Sequence, residues 1–340
     1  MMNSMQEKLL TIAIPTYNGS KTISDMLDVL LPQVDNRVEI IISDNCSTDN
    51  TSDIIKDFCR KFSFITYIRN EINIGPDRNF LQCMQLANGN FTMLMSDDDI
   101  IVEGGVGRML AFLEKYPDVT LAFLYTLSFR DKYRGINNCT LLDEYSLQPK
   151  YDICTASKDE FMSYAGRQWG FMSSFLCKTS ICKAVEKPER FFDSYWLQSY
   201  FHILCAKGED TKLGVICGPT VAAGGYGVIA NFDSYKVDVA SYKRMLDFAC
   251  DEAGFDKKQL RDLWLWRCCF VLKRTIIKER AVGKHLTSVG KVFNTLKGYP
   301  YAWINLFPFL LLPDFMCKLV LKLVRMKQKR NFSSYVNRET

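Results

Sequence analysis

Between residues 9 and 126, short runs of β-branched and apolar residues alternate with stretches in which apolar side chains recur every three or four positions. Few folds accommodate that alternation. Each helical stretch has to carry the chain back to the start of the next strand, which builds a parallel α/β sheet with helices on its faces. The runs fall at 10–14, 38–42, 64–68, 91–95 and 119–124, predicting five strands. Between them, 22–31 places Ile23, Met26, Leu27, Leu30 and Leu31 on one stripe, and 51–62 has the same period. Residues 76–87 carry Phe80, Leu81, Met84 and Leu86 behind a Gly-Pro start, as suits proline in the first turn of a helix. A chain of 340 residues, 48% hydrophobic, has room for one large domain or two smaller ones.

Composition removes several classes of function. Net charge is +5, from 43 Lys and Arg against 38 Asp and Glu, and no basic stripe or nucleic-acid motif accompanies it, so a nucleic-acid partner is not expected. The thirteen cysteines are scattered without CxxC pairs or histidine spacing. They suggest neither a disulfide framework nor a zinc site, and are read as reduced thiols in a cytoplasmic protein. The polar stretch 1–8 does not resemble a signal peptide. No Gly-x-Gly-x-x-Gly follows the first run and no Gly-x-x-x-x-Gly-Lys-Ser/Thr occurs, which argues against a dinucleotide cofactor and a P-loop.

Ligands of open α/β sheets bind beyond the carboxyl ends of the strands, so the polar residues just after each run are the ones to collect. They are 15–18, 43–45, 70–78 and 96–99. The last contains three consecutive carboxylates, Asp97, Asp98 and Asp99, where a buried strand stops. Adjacent like charges raise one another's proton affinity, and a cation relieves this; oxygen ligands favour Mg²⁺ or Mn²⁺. The alternative is a solvated acidic turn. Ser47 and Asp49 have an equally plain alternative as turn and helix-cap residues. Asp44 comes directly off a strand, which favours a hydrogen bond towards a ligand.

Four segments in order, Ile14-Pro15-Thr16-Tyr17-Asn18, Ile42-Ser43-Asp44-Asn45-Cys46-Ser47-Thr48-Asp49, Asn73-Ile74-Gly75-Pro76-Asp77-Arg78-Asn79 and Asp97-Asp98-Asp99, resemble glycosyltransferase family 2. The nearest subgroup is the bacterial O-antigen sugar transferases related to abequosyltransferase. The resemblance implies an α/β, GT-A-like fold: a mostly parallel central sheet flanked by helices, with a helical C-terminal extension. It also implies a nucleotide-sugar donor, Mn²⁺ or Mg²⁺, and a saccharide acceptor. Pro15, Thr16, Tyr17 and Asn18 would line the donor pocket, with Thr16 and Tyr17 at the base. Asp44 would accept a hydrogen bond from the base, and Asn73, Gly75 and Arg78 would contact the nucleotide. Asp97 would lie towards the ribose and Asp98 would bind the metal, with Asp99 beside it. The family more often has an acid where Ser96 stands.

Family members often carry Glu-Asp before a helix past mid-chain, and that pair is missing here. The corresponding stretch, 190–202, offers one acid, Asp193, and one of two histidines, His202. These share the candidacy for general base of an inverting transfer, against plain roles as a helix cap and a core histidine. Trp169 is the candidate acceptor contact, against ordinary packing. The glycine-rich stretch 214–227 is read as a mobile flap that excludes water.

The expected division is a donor-binding half at 1–125, an acceptor-binding half at 126–234, a helical extension at 235–298 and a basic amphipathic tail at 299–340. In the tail, Lys318, Lys322, Arg325 and Lys329 recur opposite Phe315, Met316, Leu319, Leu323 and Val324. That pattern predicts a helix on an anionic bilayer surface, placing the protein at the cytoplasmic face of the inner membrane near a polyprenyl-diphosphate-linked acceptor. The competing functional readings are a nucleotidyltransferase and a non-catalytic membrane-bound saccharide-binding module. The first is disfavoured by the lack of a Gly-rich triphosphate loop after the first strand.

Overall fold

The computed structural model describes residues 8–129, 132–142, 147–208, 211–224, 235–281, 283, 289–320 and 322–323. All five expected strands are present. β1 (Leu10–Thr16), β2 (Val38–Asp44), β3 (Ile65–Arg69) and β4 (Phe91–Leu94) are parallel neighbours in the order β3-β2-β1-β4. The fifth is the strand Leu121–Ser128, displaced towards the C-terminus from its predicted span. β1 and β4 are buried along their whole length, which is why they read as unbroken apolar runs and not as alternating ones. The three predicted helices connect them: α1 (Ile23–Leu30), α2 (Thr51–Lys61) and α3 (Pro76–Leu86).

The sheet then becomes mixed. β5 (Ile100–Ile101), α4 (Gly105–Lys115), β6 (Leu121–Ser128), β7 (Thr140–Leu141), β8 (Ile153–Thr155) and α5 (Lys158–Ala165) follow. After them come β9 (Phe175–Lys178), α6 (Thr179–Lys183), α7 (Leu197–Cys205) and β10 (Leu213–Ala223). The order across the sheet is β3-β2-β1-β4-β9-β6-β10-β5, with β7 beside β6 and β8 beside β10. β9 runs antiparallel between β4 and β6, joining the N-terminal half to the rest.

One expectation is corrected here. The described part of the glycine-rich stretch 214–227 is mostly strand, not a flap: β10 pairs with β6, with register shifts between Ile216 and Pro219 and between Pro219 and Val221. Gly218, at φ +82°, takes up this irregularity, a conformation that favours glycine. Gly214 has another reason: a Cβ there would lie 2.5 Å from the Phe112 ring, so its absence lets α4 pack close. Residues 225–227 lie outside the described residues.

The chain forms two compact units, Met1–Ala230 with Asp247–Asp256, and Asn231–Leu246 with Lys257–Thr340. The core cluster of the first covers one face of the sheet, from Ile12, Ile40 and Met93 to Leu110 and Ile216. α8 (Tyr242–Ala253) precedes the C-terminal helices α9 (Lys257–Ala281), α10 (Val289–Leu296), α11 (Pro300–Asn305) and α12 (Phe307–Leu310). Within the second unit, Trp264 Nε1 donates to the Val239 carbonyl at 3.0 Å and its ring meets Tyr299 edge-on. Residues 314–320 are again helical. No described helix is long and apolar enough to cross a membrane.

Candidate active site

Register places the predicted residues at one end of the sheet. Thr16, the last residue of β1, pairs with Asp44, the last of β2, and Asp44 pairs with Arg69, the last of β3. The loops leaving these strands and β4 therefore emerge side by side. Hydrogen bonds fasten them together. Thr16 Oγ1 donates to Asp97 Oδ2 across the β1 and β4 ends. Asn18 N–H donates to Ser47 Oγ at 2.9 Å, while Asn18 Oδ1 accepts from Thr48 N–H at 2.8 Å. Asn45 Nδ2 donates to Asn73 Oδ1 at 2.9 Å, and Asn45 Oδ1 accepts from the Ile74 N–H, also at 2.9 Å. Beneath them, Ser43 and Asn79 exchange hydrogen bonds, with Gln82 and Asn70 completing a buried polar network. Such a network is costly to leave unpaired and so fixes the loops once formed.

The acidic triplet divides into different environments. Asp97 and Asp98 are half-buried; Asp99 is 2% exposed. Both Asp99 oxygens are engaged: Oδ2 accepts from Ser173 Oγ and Oδ1 from the Gly224 N–H at 2.8 Å. Asp99 thus braces the loop against the entry to β9 and the end of β10, which corrects its expected place among the metal ligands. Burial pushes Asp97 up to about 7, against the Thr16 hydrogen bond and with help from the Asp98 charge. Burial also raises Asp98, and it drives Asp99 up to about 8 with the Asp98 charge adding to it. Two glycines make the arrangement possible. A Cβ on Gly19 would lie 2.2 Å from Asp97 Oδ2, and one on Gly224 2.1 Å from the Asp98 carbonyl.

These residues fit a hard divalent cation. Asp97 and Asp98 offer adjacent carboxylate oxygens, half-open to solvent, whose charge is unfavourable without a cation.

The other predicted residues separate into open and closed positions. Tyr17 is exposed just beyond β1, and Pro15 is buried within it. Asn73 is exposed, its Oδ1 also taking the Gly75 N–H, and Gly75 has φ +84° at the start of α3. Asp44 is 0% exposed. Its Oδ1 accepts from the Ser47 N–H at 2.8 Å and its Oδ2 from the Tyr67 hydroxyl at 2.9 Å, with Arg69 Nε at 3.4 Å. It therefore holds the 45–47 turn from inside and leaves no face for a base, contrary to the expected direct contact.

Arg78 and Asp193, far apart in sequence, meet at 3.7 Å, with the guanidinium also 4.4 Å from the Phe192 ring centre. The adjacent Asp77 is what brings the two segments together. Its buried carboxylate accepts from the N–H groups of Ser194 at 2.9 Å, Tyr195 at 3.0 Å and Leu197 at 3.3 Å. The positive φ of Asp193 (+61°) and Tyr195 (+63°) turns those N–H groups inward at the start of α7. Asp77 was not among the residues singled out by sequence, where an acid behind Gly-Pro reads as first-turn capping; its partner segment lies 117 residues away. Ser173 and Gly19 gave no sequence signal of their own.

Two candidates are corrected. Trp169 is 1% exposed and ringed by Phe161, Phe175, Phe255 and His202, so it presents no face to an acceptor sugar. His202 is 3% exposed and lies 4.1 Å, centre to centre, from the Phe175 ring. Burial lowers it to about 3, which removes it as a base within reach of solvent. Its acid behaviour follows. The unfolded chain takes up a proton near pH 6.5 that the folded chain refuses until about 3, so stability is full above pH 6.5 and is lost as pH falls. Denaturant titrations should show a loss of up to about 1.4 kcal/mol per pH unit below that point. In His202→Phe that contribution should vanish; an unchanged acid slope would contradict the burial argument.

The model of glycosyl transferase family 2 matches residues 11–168. That stretch, a little under half of the chain, is similar to the family. Within the curated proteins, it is 35% identical over 116 residues to abequosyltransferase RfbV of Salmonella typhimurium, covering 33% of this chain and 35% of that one. The chain spans about a third of the length of the first curated relatives it matches, 35% and 36%. The S. aureus TarS 1-349 structure in complex with UDP superposes with a TM-score of 0.59 at 15% identity, covering 85% of this chain and 79% of that one. Mannosyltransferase PcManGT from Pyrobaculum calidifontis, solved with GDP-Man and Mn²⁺, gives 0.50 at 13% identity over 92% and 86%. These likenesses establish a GT-A fold, and the stretch similar to family 2 contains all four strand-end loops described above.

Proposed function

We propose that the protein is a glycosyltransferase that moves a sugar from a nucleotide-sugar donor to a saccharide acceptor. The observation that carries this is the junction of Thr16, Asp97 and Asp98 at the β1 and β4 ends, fastened to loops 45–49 and 70–75 beside it. UDP in the TarS complex, and GDP-Man with Mn²⁺ in PcManGT, show that proteins of this fold hold such donors. On this reading Asp97 and Asp98 hold Mn²⁺ or Mg²⁺, which when bound neutralises charge on the departing nucleoside diphosphate. Thr16 orients Asp97 towards that duty. Tyr17, Asn18, Asn73 and Gly75 line the donor side, and Arg78 supplies a fixed positive charge at the mouth. Asp193, whose carboxylate is 73% exposed beside Arg78, is assigned the acceptor proton. An inverting outcome accords with a single positioned base.

The acceptor is proposed to be lipid-linked, as an O-antigen or other surface-polysaccharide intermediate would be, and reached from the membrane surface. Support comes from the second unit, where Trp303, Ile304, Leu311, Phe315, Leu319 and Leu323 are exposed, with Lys318 and Lys322 on the same segment. Residues 324–340, including Arg325 and Lys329, lie outside the described residues. Recovery of the full chain on anionic lipid vesicles should fall at least tenfold when 314–340 are deleted, with turnover of a soluble acceptor little changed. Equal recovery of both forms would remove the membrane proposal.

Activity is tested by incubating the protein with a panel of labelled nucleotide sugars, Mn²⁺ and saccharide acceptors. Release of nucleoside diphosphate with label in the acceptor is expected. Formation of a nucleotide sugar from sugar phosphate and nucleoside triphosphate would instead identify a nucleotidyltransferase, and donor binding without turnover a saccharide-binding module.

A further inference from the structure

Three sulfurs from three elements meet inside the first unit: Cys177 on β9, Cys182 on α6 and Cys205 at the end of α7. All three are buried, and each Sγ lies within 4.8 Å of the other two. Cys177 pairs with Thr92 and Leu121, near the amino ends of β4 and β6, so the cluster is at the opposite end of the sheet from Asp97 and Asp98. We propose that Cys177, Cys182 and Cys205 form a buried three-thiolate site for one thiophilic d¹⁰ cation.

A single buried cysteine is ordinarily a small apolar filler. Three that converge on one point are a different case, because their spacing is what coordination needs. Metal–sulfur bonds of about 2.3 Å put the sulfurs of a tetrahedral site about 3.8 Å apart. Cys182 and Cys205 are separated by 3.6 Å, and the Cys177 sulfur lies within 4.8 Å of both. That separation is far beyond a disulfide bond of about 2.05 Å. Sequence spacing conceals the site: 177 and 182 straddle a strand-to-helix turn and 205 arrives from another helix, so no CxxC pattern appears.

The donor set decides the class of ion. Three thiolates with no fourth His, Cys, Asp or Glu among the described residues in mutual reach exclude the hard cations expected at Asp98 and select Zn²⁺ or Cu⁺. As the ion enters, each coordinating S–H gives its proton to solvent. Three thiolates around Zn²⁺ leave one net negative charge, and around Cu⁺ two; burial makes the smaller residue preferable, which favours Zn²⁺. The site would tie β9, α6 and α7 together.

The test uses the full chain purified under reducing conditions without chelator. One equivalent of Cd²⁺ should produce thiolate-to-metal absorption in the ultraviolet and displace any Zn²⁺ already bound. Cys205→Ala should lose the band and bind Zn²⁺ at least tenfold more weakly in competition with a chelating dye. No band in the wild type, or a band unchanged in the variant, would overturn the site. X-ray absorption on the wild-type protein keeps the test independent of the variant's folding: a shell of three sulfurs around zinc supports the proposal, and fewer than three refutes it. Three sulfurs around copper after Cu⁺ loading, with none around zinc, would overturn the preference for Zn²⁺. None of these readouts depends on glycosyl transfer, so failure here leaves the proposed function standing, and the reverse also holds.

Discussion

Asp98→Ala is expected to lower nucleoside diphosphate release by about 10³-fold or more, the scale associated with losing preorganised charge stabilisation at a leaving group. The side chain is half-buried, and its described hydrogen bond is to Ser96 Oγ, two residues away. Removing it therefore leaves the core intact, and the midpoint of denaturation should move by no more than about 1 kcal/mol. Isothermal titration with Mn²⁺ and donor should show that metal-dependent donor binding disappears with the activity. Wild-type turnover in Asp98→Ala would remove the metal assignment, and with it the main physical reason for reading the acidic loop as a donor site. Asp99→Asn should behave differently. With Ser173 and the Gly224 N–H as its partners, its loss should act on stability as well as on rate.

Asp77→Ala is the second large effect. One carboxylate accepts three backbone N–H groups from the turn that starts α7, and its removal leaves those donors buried without a partner. Hydrogen bonds to a charged acceptor contribute about 1.5–3 kcal/mol each, and unsatisfied buried donors cost a similar amount. A loss of at least about 3 kcal/mol in a denaturant titration is expected. Asp77→Asn should recover only part of it, because both oxygens accept and the amide replaces one acceptor with a donor. The same turn holds Asp193 against Arg78, so turnover in the surviving folded fraction should also fall. Full stability in Asp77→Ala would show that the turn is held by its own backbone and not by α3.

The sequence was legible where local pattern and long-range order coincide. Periodicity located β1 to β4 and their helices because each strand is short, apolar and bounded by turn residues, and a parallel sheet leaves one end for polar loops. Thr16, Asn18, Asn73 and Asp97 were therefore found together before any coordinates. Periodicity failed at β10. Glycine and proline there read as flexibility, whereas Gly214 makes room for Phe112 and Gly218 accommodates the shift in pairing. Trp169 and His202 were misread for a related reason: aromatic and imidazole side chains suit both cores and sites, and only burial separates the two uses.

By itself, then, the order of residues determined the strand-helix alternation, the end of the sheet where polar chemistry collects, and the acidic loop placed there. Those features are set by neighbours a few positions apart. Tertiary structure alone decided which carboxylate faces solvent and which braces the loop, that Asp44 is a strut, that Asp77 fastens a turn 117 residues later, and that three distant cysteines converge. Each of these depends on what surrounds a side chain in space, and desolvation by non-local neighbours leaves no trace in local spacing.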